Sequence, residues 1–241
     1  MPTRELVSRD TRRMALGGET LEYVLVRRRG RRGVNFKVDE TGLTVSAPLS
    51  FSLAQIETLA QASQKWILKK IAEWRTKQVP DAAWHDGARV PFLGGGLALK
   101  LFTGRAGALR EGQELWVRTP SGDPAHVQRT VVTWYKREAK EYLGGRVAQL
   151  SGHAQLKPPT FVLSSAIGRW GSCNSRREVR LAWRLMKAPP ELIDYVVCHE
   201  LAHLRHMNHS PAFWAEVERQ CPDYRALRDR LHETDHLYRS F

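Results

Sequence analysis

The sequence predicts an α+β fold, and three patterns carry that reading. Residues 20–27 and 33–39 alternate apolar and polar side chains, with Val24, Val26, Val34, Phe36 and Val38 in the period of two that half-buried strands show. Residues 52–77 and a stretch running to about Leu150 instead repeat apolar side chains at helical spacing. From Pro189 onward the chain reads almost entirely as helices.

The elements come in order along the chain. Gly30 and Gly33 sit between the first two strands, and Leu43 to Ala47 forms a third after Gly42. Pro48 ends that sheet. Ser52 can then cap a helix over 52–77, in which Ile56, Leu59, Ala60, Ser63, Ile67, Ile71 and Trp74 keep one face and a basic face looks outward. Residues 79–87 read as a linker with turn chemistry. Arg89 to Leu93, Leu97 to Thr103 and Glu114 to Arg118 read as short strands. The Gly94-Gly95-Gly96 turn between the first two of these is no phosphate loop, since no Lys-Ser/Thr comes after it. A second long helix begins after Thr119-Pro120-Ser121-Gly122, with Val127, Val131, Trp134 and Tyr142 near one face. Thr160 to Ser165 and Glu178 to Arg184 are strand-like. Pro189-Pro190 opens a helix through about His206, Ser210-Pro211 opens the next, and a last one begins after Cys221-Pro222.

Composition removes several classes of protein. The 241 residues fit one domain, or one domain with a small appended lobe, and 42% hydrophobic residues with eight Trp supply a core. No apolar run approaches the ~20 residues of a membrane helix, so no membrane association is expected. Met1 to Leu16 lacks the apolar stretch of a secretory signal. Cys173, Cys198 and Cys221 are odd in number and widely spaced, which argues for a reducing, cytoplasmic setting. No Cys-x-x-Cys pair exists, which excludes a zinc ribbon or finger.

The net charge of +13 is unevenly placed: +7 over 1–80, +1 over 81–122, +8 over 123–188 and −3 over 189–241. The densest basic run, Arg27-Arg28-Arg29-Gly30-Arg31-Arg32, reads either as a phosphate-binding hairpin tip or as a solvated turn between two strands. On the first reading, the basic N-terminal surface has a nucleic-acid partner.

The chemistry concentrates in Cys198-His199-Glu200-Leu201-Ala202-His203, which contains His-Glu-x-x-His. On a helix, residues four apart share a face, so both imidazoles can reach one ion, and Zn2+ suits them. Glu200 is placed to act on a water as general base. Ile193, Val197, Leu201 and Leu204 on one side and Leu192 and Val196 on the other make this helix apolar nearly all round, hence central. Buried His and Glu are costly without partners, which favours a metal over two core histidines bonded to backbone. A third ligand is needed. His209 is favoured, because Asn208 tolerates the turn that brings the chain back; His206, Glu216 and Glu218 are its competitors.

Arg169-Trp170-Gly171-Ser172-Cys173, Leu181-Ala182-Trp183-Arg184-Leu185, Ala188-Pro189-Pro190, Ile193 through Leu204, and Asn208-His209-Ser210 with Phe213-Trp214 together resemble the YgjP-like metallopeptidases, small zincins related to WLM and SprT-like proteases. The resemblance implies a zincin-like core with His199, His203 and His209 as zinc ligands, Glu200 as base, and a protein or peptide substrate. It also implies an edge strand that pairs with the substrate. Glu178 to Arg184 is the candidate, with Arg180 and Ala182 contacting the peptide. Trp170-Gly171-Ser172-Cys173 before it reads as a tight loop, either with Trp170 a core plug and Gly171 a turn residue, or with Ser172 or its neighbouring amides facing the developing oxyanion. Three segments are then expected: a basic β-hairpin/helix lobe over 1–80, a β segment over 81–122 and the zincin-like core over 123–241. Asp194 and Asp235 are candidates to orient ligand histidines, which the sequence does not decide. The alternative function is a nucleic-acid-binding protein with a structural zinc.

Overall fold

The structure is a computed structural model that describes residues 5–39, 41–76 and 82–241. Part of the linker expected at 79–87 lies outside the described residues. The chain divides into two compact units, Met1–Gln78 and Val79–Phe241.

In the first unit, β1 (Leu6–Leu16), β2 (Glu19–Arg28), β3 (Asn35–Asp39) and β4 (Gly42–Pro48) form a sheet in the order β1-β2-β4-β3. Gly17 and Gly18, both at positive φ, make the two-residue turn between β1 and β2. β2 runs parallel to β4, and β3 pairs antiparallel with β4. The strands β2 and β3 are therefore not partners, which overturns the hairpin expected at the Arg27–Arg32 run. Arg27 has a structural task instead: its guanidinium donates to the carbonyls of Pro48 at 2.7 Å and Phe51 at 2.5 Å. Ser52 caps α1 (Leu53–Ala62) in a capping box with Gln55, as its sequence signals. The single helix expected over 52–77 breaks at Ser63, and α2 (Gln64–Thr76) continues beyond it. Met14, Leu16, Tyr23, Leu25, Val45, Ile56 and Ile67 are among the buried side chains of this unit's core.

The second unit is built around α3 (Pro124–His153), whose first turn has Asp123 as N-cap and Pro124 next to it. On one side lies a sheet of β5 (Arg89–Phe92), β6 (Gly95–Thr103), β7 (Gly107–Glu111) and β8 (Glu114–Thr119), in the order β5-β6-β8-β7. A second sheet contains β9 (Thr160–Ser164), β10 (Gly171–Cys173) and β11 (Glu178–Ala182), in the order β10-β11-β9. A 3-10 helix (Trp183–Lys187) leads into α4 (Pro190–Ala202), then α5 (Pro211–Gln220) and α6 (Tyr224–Arg239). One core joins these parts: Leu99, Leu115 and Val117 from the first sheet meet Trp134, Tyr135 and Leu143 of α3 and Ile193, Val197 and Leu201 of α4. The 81–122 segment thus shares its core with the helices of 123–241. The α+β class read from the sequence holds. Among the described residues no helix is long and apolar enough to cross a membrane.

Candidate metal centre

Helix α4 is buried on nearly all sides: Leu192, Ile193, Val196, Val197, Cys198, Leu201 and Ala202 all lie in the interior. This fixes the rotation of the helix, and with it where His199 and His203 project, one turn apart. The helix does not run on to His206. His203 is its C-cap, and the last turn tightens as the N–H groups of Arg205 and His206 both reach the carbonyl of Ala202. The chain then reverses. Ser210 accepts from the Phe213 N–H and starts α5, so that His209 faces the histidines of α4.

The ligand atoms of His199, His203 and His209 all lie within 4.8 Å of one another. The Nε2 atoms of His199 and His209 are 3.2 Å apart. Tetrahedral bonds of about 2.0–2.1 Å to zinc would set nitrogens roughly 3.3 Å apart, so the spacing suits such an ion. His203 Nδ1 lies 3.1 Å from the carbonyl of His206. A carbonyl only accepts, so Nδ1 carries the proton and Nε2 keeps its lone pair for a metal. The backbone of His206, not its ring, thus serves the site.

Phe213, fully buried, is the wedge behind the cluster: its ring centroid is 5.0, 4.5 and 4.7 Å from those of His199, His203 and His209. Trp214 packs beside His209 and stacks on Tyr224. Burial, then the neighbouring imidazoles, pushes His199 down to about 4; burial likewise lowers His203. Both are neutral at pH 7, the form that ligates. The buried Nδ1 of His199 has no hydrogen-bond partner among the described residues.

Glu200 is buried against β10. A Cβ built on Gly171 would lie 2.5 Å from Glu200 Oε1 and 2.6 Å from its Cγ. Burial raises the carboxyl to about 7, opposed by the charge of Arg169, and its Oε2 has no hydrogen-bond partner among the described residues. Burial and the Glu200 charge raise the Cys173 thiol, which leaves it a poor nucleophile.

The competing ligands are otherwise engaged. Glu216 accepts from Arg219 and from Gln220, both at 2.7 Å, and Glu218 pairs with Arg225 at 2.8 Å. Asp194 is held by Arg146 through two 2.7 Å hydrogen bonds and Asp235 by Arg239, so neither orients a ligand histidine as expected.

The substrate strand also needs correction. β11 is the middle strand of its sheet, with β10 antiparallel on one side and β9 parallel on the other. Arg180 and Ala182 therefore lie on no free edge. The Ala182 N–H already donates to Trp170 O at 2.8 Å, and Arg180 pairs with Glu178. The edge beside α4 is β10, which carries Ser172 opposite Arg180. The sequence suggests a tight loop for this stretch, with Gly171 a turn residue; it is a strand. Sequence reasoning missed the contact of Gly171 with Glu200 and the seat that Phe213 gives the three rings.

A family model described as "YgjP-like, metallopeptidase domain" matches residues 32–234. The chain belongs to that family. As a YgjP-like metallopeptidase it has the three-histidine group inside the matched span. The crystal structure of the metallopeptidase zymogen of Pyrococcus abyssi abylysin is similar at 21% identity over 41% of this chain and 98% of that one, with a TM-score of 0.36. No curated protein matches this chain.

Proposed function

We propose that this YgjP-like protein is a zinc-dependent peptidase in which His199, His203 and His209 hold the ion and Glu200 is the general base. The observation that carries the reading is the convergence of three imidazole nitrogens within 4.8 Å, beside a buried carboxylate on the same helix. Three protein nitrogens are the donor count of an open, catalytic site; a closed structural site takes four. This favours an enzyme over a nucleic-acid-binding module with structural zinc. A bound Zn2+ supplies Lewis acidity, polarising the scissile carbonyl and acidifying a water.

The protein's own groups do the rest. His203 is fixed by the His206 carbonyl, and Phe213 holds the three rings at a common point. Glu200 takes a proton on its carboxylate from the attacking water and passes it to the amide nitrogen that leaves. A carboxyl raised toward neutrality by burial is suited to both halves of that transfer. The free edge of β10 takes the role that the sequence suggests for β11: an extended peptide adds to Gly171–Cys173, and Ser172 remains the candidate donor to the oxyanion.

The test is Glu200→Gln, assayed for metal content and for cleavage of fluorescently labelled casein. The variant should hold as much zinc as the parent and lose cleavage. Undiminished cleavage would sink the mechanism.

A further inference from the structure

The outer face of the β5–β8 sheet carries an unusual surface, independent of the histidine cluster. Alternate residues point inward: Leu97, Leu99, Leu115 and Val117 are buried in the core. Residues of the opposite parity along these strands point outward, and two of these are aromatic. Phe102 on β6 and Trp116 on β8 stack with ring centroids 5.1 Å apart and planes within 25°. They are 44% and 39% exposed. Leu109 on β7, directly opposite Trp116, is 58% exposed. Large apolar groups held together in water mark a binding face.

The charges around this face have one dominant sign. Edge strand β7 has a cleft on each side. One, of about 410 Å³, includes Phe102 and Trp116 with Arg105, Arg118 and Glu111. The other, of about 480 Å³ between β7 and α3, is lined by His126, Arg129, Arg137 and Trp134. Four arginines thus stand beside Glu111 on the cleft walls, and one of them, Arg137, is already paired with Glu138 at 3.0 Å. The nearby Glu114 is already engaged by Lys100 at 3.7 Å and by the Trp116 indole N–H at 3.1 Å. Arg105, Arg118 and Arg129 have no carboxylate partner among the described residues. The Trp134 indole N–H, buried at the wall of the second cleft, has no hydrogen-bond partner among the described residues.

We infer that this face binds single-stranded nucleic acid, with bases stacked on Phe102 and Trp116 and phosphates led past Arg105 and Arg118 into the cleft of Arg129 and Arg137. An acidic peptide would satisfy the arginines but would leave the aromatic pair without a use. Exposed aromatic planes on a sheet flanked by arginines meet both demands of a single strand, which offers a π-face on every base and a charge on every phosphate. The inference rests on a different surface from the peptidase centre and stands or falls apart from it.

The experiment is fluorescence anisotropy with the full chain and a labelled oligothymidine of about 15 nucleotides, a length spanning one such surface. Binding at low salt should weaken as salt rises, with a slope near −0.7 for each phosphate contacted. Trp116→Ala and Phe102→Ala should each weaken binding roughly 5- to 150-fold, the range of one lost stacking contact. The double variant Arg105→Ser/Arg118→Ser should flatten the salt slope by about 1.4. Absence of binding at low salt overturns the inference. So does binding that both aromatic variants retain in full, which would assign the affinity to the basic run of the other unit. Equal competition by oligoglutamate, insensitive to Trp116→Ala, would likewise replace it with a site for acidic peptides.

Discussion

Gly171 and Glu200 touch so closely that no side chain fits between them: the nearest atom of the carboxylate is 2.5 Å from where a Cβ would stand. The glycine is here a matter of space, since Gly171 lies in a strand and its φ is not positive. A methyl group would force the carboxylate or the strand aside.

Gly171→Ala should therefore lower casein cleavage by about 100-fold, the scale of a one-ångström misplacement in an active site. Zinc content should stay that of the parent, because the three atoms nearest an added Cβ all belong to Glu200. Steady-state kinetics beside elemental analysis checks this. Parental turnover would show that Glu200 can move without loss.

His209→Ala should reduce zinc from roughly one per chain to a small fraction of that after dialysis, since a three-nitrogen site loses a third of its donors. Glu216→Gln should keep the metal, because that carboxylate is already occupied by Arg219 and Gln220. Chelation of the parent should reproduce the loss of cleavage, and added zinc should restore it. Zinc retained by His209→Ala but lost by Glu216→Gln would transfer the third position to the glutamate.

Lys187 is fully buried, donates to the Ser240 carbonyl, and has its Nζ 3.3 Å from the centroid of the Phe241 ring. Burial, helped by the charge of Arg184, drops it to about 6. An unfolded lysine titrates near 10.4, so between about pH 6 and 10 the unfolded chain holds a proton that the folded one lacks. Stability should then rise with pH across this window, by about 1 kcal/mol per unit. Urea titrations at pH 7 and pH 9 check the sign. In Lys187→Met the slope should disappear; a slope unchanged by the substitution would mean that other groups produce it.

Arg146 and Asp194 tie α3 to α4, with both carboxylate oxygens engaged. The pair is partly shielded from solvent, so it should be worth more than an exposed one. Arg146→Gln and Asp194→Asn should each cost about 1–2 kcal/mol, and the double variant little more than either alone. For a unit of this size that is a drop of roughly 2–8 °C in Tm. Additive losses in the cycle would show that the two side chains act separately.

The features legible in the sequence are local. Ser52 and Ser210 announce helix starts through their own side chains, and His199, Glu200 and His203 announce a site through spacing on one helix. The features that stayed hidden depend on distant partners. Strand β1 gives little sign of itself because only Met14 and Leu16 of its residues are buried, and its arginines look like a solvated tail. β7, with none of its residues buried, has no alternation to display. β11 looks like an edge because its sequence says nothing of which strands flank it. Ser63 interrupts a helix whose apolar spacing runs straight through it, since its N–H bonds to Leu59, Ala60 and Gln61 close the first helix off. Gly171 reads as a turn because the carboxylate it makes room for lies on another element.

The early end of α4 has a consequence for how the centre is assembled. Because the helix stops at His203 and doubles back, every nitrogen in the cluster comes from one short stretch, His199–His209. Glu200 shares that stretch but owes its setting to β10, a strand that arrives from much earlier in the chain. On the proposed function, holding the ion is a local property and aiming Glu200 as the base is a long-range one. A sub-global opening that frees β10 while leaving α4 and α5 in place would yield a loaded but idle enzyme, and its restoration would need no metal to be found again.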